Sequence, residues 1–232
     1  MGEIKLDGIK ENLEKIREKI RVKSELVGRD SREITLVAVT KTVEVDRIEE
    51  AIASGVNIIG ESRVQEAKEK YEKVGNRVIW HLVGHLQRNK AKDAVKIFDL
   101  IQSVDSVRLA KEIDRQAKKV GKTQKTLIEV NLSGEESKYG LNPKEVIPFL
   151  KEISGLSNIK VKGLMTMAPL YENPEDCRPC FRKLKELMGK VNDENIKNVE
   201  MIYLSMGMSN DFEVAIEEGS NMVRIGRAIF GS

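Results

Sequence analysis

At 232 residues, 40% hydrophobic and 33% charged, the chain is long enough to bury one large core and too apolar for a disordered segment, and this length alone does not call for a second domain. Its 40 basic and 37 acidic residues leave a formal charge of +3 and interleave along helix-like segments, which argues against a nucleic-acid-binding stripe. No apolar run approaches the roughly 20 residues of a bilayer span, and the N-terminal MGEIKLDGIKENLEKIREKI lacks the apolar core of a signal peptide, so the chain is expected in the cytoplasm with no membrane partner.

In chain order, the first element is a helix over residues 8–28, with Ile9, Leu13, Ile16 and Ile20 forming an apolar stripe among charges. A strict alternation follows. Short β-branched runs recur at ITLVAV (34–39), VNII (56–59), VIWHLV (78–83), FDLIQSV (98–104), KTLIEVNL (125–132), VKGLM (161–165), VEMIYL (199–204) and MVRI (222–225). Between them lie charged segments of helical period: VDRIEEAIASG, SRVQEAKEKYEKV, SVRLAKEIDRQAKKVG, NPKEVIPFLKEIS, PCFRKLKELMGKV and NDFEVAIEEG. Gly55, Gly121, Gly155 and Gly219 stand after helix ends, and Asp105, Asn142 and Asn210 at N-cap positions. Eight strands alternating with crossover helices predict one α/β domain over residues 1–232, a TIM-type (β/α)8 barrel with an extra N-terminal helix. An open doubly wound sheet is the alternative, disfavoured by the lack of a Gly-rich first turn.

A barrel places its site at the C-terminal ends of its strands, so the residues that follow each run are the informative ones. Strand one runs into Thr40 and Lys41, strand two into Gly60 and Glu61, and strand three into Gly84, His85 and Gln87. Strand five leads to Lys138, strand six to Met165 and Met167, strand seven to SMGMS (205–209), and strand eight to Arg224, Gly226 and Arg227. Lys41 follows LVAV after a single residue, Thr40, which predicts an amine sheltered by apolar core and able to condense with an aldehyde. The turns after strands seven and eight, with Ser205, Gly207, Ser209 and Gly226, occupy the usual phosphate station of a barrel. Arg224, just inward of Gly226, is placed to meet a ligand ring.

The remaining candidates are plainer. Cys177 and Cys180 form a C-x-x-C with no second pair to complete a zinc site, and their place near a helix N-terminus would favour thiolates; bystander thiols are the preferred reading over a redox pair. His81 and His85 lie four apart on a strand, without chelating geometry, so no metal site is expected. His81 is expected in the core or rim, and His85 and Met167 in the pocket lining, with Met167 suited to an aromatic ligand face.

VAVTK around Lys41, GESRVQEA (60–67), WHLVGHLQRNK (80–90), SVDS (103–106), VNLSGEESKYGL (130–141), GLMTM (163–167), SMGMSNDFEVAI (205–216) and VRIGRAIFG (223–231) together resemble the YggS/PROSC pyridoxal phosphate homeostasis family. That family is similar to the barrel domain of alanine racemase. The resemblance implies pyridoxal 5'-phosphate (PLP) as cofactor, held as a Schiff base on Lys41. It also implies Ser205 as a phosphate ligand, backbone amides of Gly226 and Arg227 on the phosphate, and the Arg224 guanidinium near the pyridine nitrogen. Lys138 aligns with a racemase arginine near the cofactor's phenolic side. Position 227 usually carries a small hydroxyl residue in the family, and position 62 is often asparagine where this chain has Ser62.

A racemase needs two bases, one on each face of the carbanion, and Lys41 supplies only one. In alanine racemase the second is a tyrosine from a further domain of the partner subunit, and the sequence after strand eight is short. The resemblance therefore implies a monomeric, non-catalytic protein that buffers PLP or delivers it to PLP-requiring apo-enzymes; an amino-acid racemase or lyase is the alternative.

Overall fold

The computed structural model describes residues 8–132 and 139–231. Lys138 lies outside them. Eight strands, β1 (Thr35–Val39), β2 (Ile58–Glu61), β3 (Ile79–Leu82), β4 (Leu100–Val104), β5 (Gln124–Glu129), β6 (Ile159–Met165), β7 (Val199–Ser205) and β8 (Met222–Ile225), pair in sequence order and close on themselves. All pairings are parallel, with β1 joined to β2 through Ala38↔Ile59 and to β8 through Leu36↔Val223. The expected barrel is therefore the observed one.

Around it run α1 (Ile9–Leu26), α2 (Val45–Ala53), α3 (Val64–Val74), α4 (Ala91–Ile97), α5 (Val107–Lys119), α6 (Val146–Ile153), α7 (Arg178–Asp193), α8 (Phe212–Glu217) and α9 (Arg227–Phe230). Helices α4, of seven residues, and α9, of four, are not among the segments of helical period read from the sequence. Gly55, Gly121 and Gly219 adopt positive φ after helix ends; Gly155 does not. Asn142 caps its helical turn through a reciprocal bond with Glu145. Asp105 and Asn210 are not caps: Ser106 and Asp211 hold the N-cap positions of α5 and α8.

Strand parity divides the core in two. Val37 on β1, Val83 after β3, Leu100 on β4, Leu127 on β5, Met165 on β6 and Met222 on β8 fill the barrel interior, with Val39, Ile58 and Tyr203 partly buried beside them. Their neighbours of opposite parity, such as Ala38, Ile59, Leu82, Ile101, Ile128 and Leu164, face the helices. Helix α1 buries Ile9, Leu13, Ile16 and Ile20, each burial contributing about 1.5–3 kcal/mol relative to exposure. It docks against α8 and α9, where Asn12 donates to the Ile229 carbonyl (3.0 Å) and Lys23 pairs with Glu217 (2.7 Å).

Candidate functional site

A cavity of about 710 Å³ opens at the C-terminal end of the barrel, and Lys41, His85, Met167, Arg224, Gly226 and Arg227 all line it. Six of the seven residues expected at a site thus meet in one cavity, although they come from four different strand ends. Tyr139, Leu170 and Tyr171 add an apolar rim that the strand-by-strand reading missed, because it lies in loops beyond the strand ends. Lys41 sits in the turn after β1, and it is exposed at the mouth rather than sheltered by the strand that precedes it. The reason is local: Thr42 has φ 61, and this left-handed residue turns the chain outward soon after the buried Thr40.

Beneath the mouth a chain of polar side chains crosses the barrel. Arg224 is 3% exposed; its Nη2 donates to the Thr166 carbonyl (2.7 Å) and its Nη1 to Ser205 Oγ (2.5 Å). A guanidinium has no acceptor, so the Ser205 hydroxyl proton goes the other way, to Gln102 Oε1 (2.7 Å). Gln102 Nε2 then donates to His81 Nδ1 (3.0 Å), which places the His81 proton on Nε2. Burial pushes His81 down to about 3, so it is a neutral core histidine, and pushes Arg224 down to about 10, still a cation at neutral pH.

Ser205, expected at the phosphate, lies apart from the other six. It is fully buried on β7, outside the cavity lining, with its hydroxyl engaged below Arg224. Four residues on, Ser209 lines the cavity and accepts from the Ala228 amide (3.2 Å), tying the β7 turn to α9. Both serines belong to the SMGMS motif, and the strand's inward parity separates them: Ser205 ends β7 pointing into the barrel, whereas Ser209 lies past the turn.

His85 stacks on Tyr139 with ring centroids 3.7 Å apart and planes at 13°, and its Nδ1 is 3.3 Å from Asp105 Oδ2. Met167 is 41% exposed in the mouth, available to a ligand face. Asp211 is turned away from the mouth's donors: Oδ1 accepts from the Met208 amide (2.5 Å) and Oδ2 from the Cys177 thiol (3.5 Å). Burial, with the Asp211 charge, pushes that thiol up to about 12, so the thiolate expected from a helix N-terminus does not form. Cys177 and Cys180 are buried and not joined in a disulfide. Among the described residues no group of three or more His, Cys, Asp or Glu side chains is placed to hold a metal ion, and no helix is long and apolar enough to cross a membrane.

Glu129, at the end of β5, is 3% exposed, and its Oε2 has no partner among the described residues. Burial, reinforced by Asp105 and opposed by Arg224, pushes this carboxyl up to about 7. A carboxyl that holds its proton more tightly when folded stabilises fully in acid and loses that contribution as pH rises through its native pKa. Glu129→Gln is thus expected to gain on the wild type by roughly 3 kcal/mol between pH 4.5 and 7, read from urea unfolding at matched pH. His81 acts in the opposite sense, losing its contribution in acid, but it is common to both proteins and cancels in the difference. A difference that stays constant with pH would show that Glu129 does not titrate there.

The alanine racemase N-terminal domain family matches residues 4–232. A pyridoxal phosphate homeostasis protein of Aquifex aeolicus is 45% identical over 222 residues, 95% of this chain and 96% of its own length. PipY of Synechococcus elongatus, solved with PLP bound, superposes with a TM-score of 0.84 at 33% identity, covering 96% of this chain and 100% of that one. Alanine racemase of Clostridium difficile shares the fold at a TM-score of 0.76 and 20% identity, with 97% of this chain matched to 56% of the enzyme. Sequence likeness along nearly the whole chain, on a barrel of the same closure, makes this protein a member of the pyridoxal phosphate homeostasis family, built on the alanine racemase N-terminal domain.

Proposed function

We propose that this protein binds PLP in the barrel mouth, holds it through Lys41, and buffers or delivers it without turnover chemistry of its own. The observation that carries this reading is the convergence in one cavity of a lysine amine, a buried arginine and the turns after β7 and β8. The residues present fit the cofactor. Ser209 and the exposed Arg227 offer donors for an anion, and Asp211, the acidic side chain beside them, already has both oxygens engaged. Gly226 leaves room for close approach, since a Cβ there would lie 3.0 Å from the Val39 carbonyl.

PLP supplies an aldehyde that condenses reversibly with a primary amine. Lys41 is the amine in the mouth that would hold the cofactor by that reaction. Backbone amides of Gly226 and Arg227 with the Ser209 hydroxyl would grip the phosphate, in place of the Ser205 contact the resemblance implied. Arg224 can only donate, so beside the ring nitrogen it would favour the unprotonated form and disfavour the pyridinium that carbanion chemistry needs. The interior chain through Ser205 and Gln102 keeps that guanidinium oriented. His85 and Met167, which line the cavity, would flank the ring.

The likeness to racemases is one of fold, at 20% identity. The deciding experiment incubates PLP-loaded protein with alanine and serine, and separately with an apo-enzyme that requires PLP. Cofactor appearing stoichiometrically on the apo-enzyme, with no chiral product, is expected. Sustained racemisation or elimination would overturn the non-catalytic reading.

A further inference from the structure

The turn that carries Lys41 is held by a charged cluster that never touches the Lys41 side chain. Lys70, on α3, is 7% exposed and spends its ammonium protons on three acceptors: the Thr40 carbonyl (2.6 Å), Glu61 Oε1 (2.8 Å) and Glu66 Oε1 (2.6 Å). Glu66 Oε1 also accepts the Thr42 amide (2.6 Å), and Glu61 Oε1 accepts the Thr40 hydroxyl (2.6 Å). The Thr40 carbonyl and the Thr42 amide belong to the two peptide planes on either side of the Lys41 α-carbon. Both planes are therefore fixed, one directly by Lys70 and the other through Glu66.

Such a cluster is a poor device for stability alone. Burying an ammonium and a fully buried carboxylate is costly, apolar replacements of buried ion pairs are often as stable, and Glu61 Oε2 is left without a partner among the described residues. Desolvation by burial pushes the Glu61 carboxyl upward, and the bonds from Lys70 and Thr40 work against that push. What the cluster secures is a β-branched residue at φ 61, a conformation that persists only where its surroundings hold it. This fixes the direction in which residue 41 leaves the backbone.

We propose that Lys70, acting with Glu61 and Glu66, is a positioning residue that aims the Lys41 amine at a carbonyl bound in the barrel mouth. The inference rests on the reading of Lys41 as the covalent anchor. It predicts a split between ligands that need the amine and ligands that do not. Pyridoxine 5'-phosphate, which carries an alcohol where PLP has its aldehyde, uses the same phosphate and ring contacts and forms no bond to Lys41.

The test compares wild type with Lys70→Met, stripped of cofactor and titrated with each ligand, together with the rate at which PLP becomes fixed by borohydride. Lys70→Met is expected to slow fixation and weaken PLP binding by at least about tenfold, with pyridoxine 5'-phosphate affinity unchanged within about twofold. Equal losses for both ligands, or no loss for either, would overturn the proposal. Should Lys70→Met fail to fold, Glu66→Ala decides: its side chain is partly exposed, it releases the Thr42 amide, and the same split is expected at about threefold. An equal change for both ligands there overturns the proposal too. If wild type itself carries no borohydride label on Lys41, it is the anchor reading that fails, and the wild-type arm shows this independently of either variant.

Discussion

Lys41→Ala is expected to abolish covalent retention of PLP. Saturated with the cofactor and reduced with borohydride, the wild type should carry a pyridoxyl group on the peptide containing Lys41 and the variant none, with loss of the absorbance band near the visible edge. The effect should be large because Lys41 is the only lysine among the described residues lining the cavity. The residues placed around the phosphate and ring remain in the variant, so pyridoxine 5'-phosphate should still bind. Label found on any other lysine, or retained in the variant, would remove Lys41 from the chemistry while leaving the cavity's other contacts in question only for the ring and phosphate.

Gly163→Ala is expected to cost more stability than any surface change, on the order of 4 kcal/mol or more, or to prevent folding. Gly163 lies on β6 at φ 152, and a Cβ there would stand 1.9 Å from the Tyr203 carbonyl oxygen and 2.7 Å from its carbon on β7. Neither atom belongs to a flexible side chain. Relief requires the two strands to part where their register shifts between Val161 and Gly163, which would disturb Met165, Met167 and Ser205 further along the same strands. Gly189 provides the contrast: it sits within α7 with nothing near its absent Cβ, so Gly189→Ala should stabilise by about 1 kcal/mol through helix propensity alone. Denaturant unfolding of the two variants side by side measures both effects, and a Gly163→Ala protein as stable as the wild type would refute the steric argument.

The two substitutions mark what kinds of information the chain carries. Lys41 was legible because a polar residue just past an apolar run such as LVAV falls at a strand end in any barrel, whatever the remaining contacts. Gly163 was not, since nothing in VKGLM distinguishes a glycine required by a crossing backbone from one tolerated in a strand. Lys70 left a trace that could have been read: it falls with Val64, Ala67 and Val74 on the buried stripe of α3, where a lysine is out of place, and Glu66 stands four residues before it. Gln102 left a similar one, a long polar side chain in a strand buried along its whole length.

By itself the sequence determined the alternation of eight strands with helices, the stripe that docks α1, and the residues delivered to the barrel mouth, because periodicity and strand-end position are local properties of the chain. Only the tertiary structure decided which of those residues share the cavity and which face inward beneath it. Closing β8 onto β1 fixes every strand's rotation, and that rotation sends Ser205 under Arg224 and leaves Ser209 at the mouth. It also brings α3 close enough to β1 for Lys70 to hold the Lys41 turn, a contact between residues about 30 apart that no local pattern encodes.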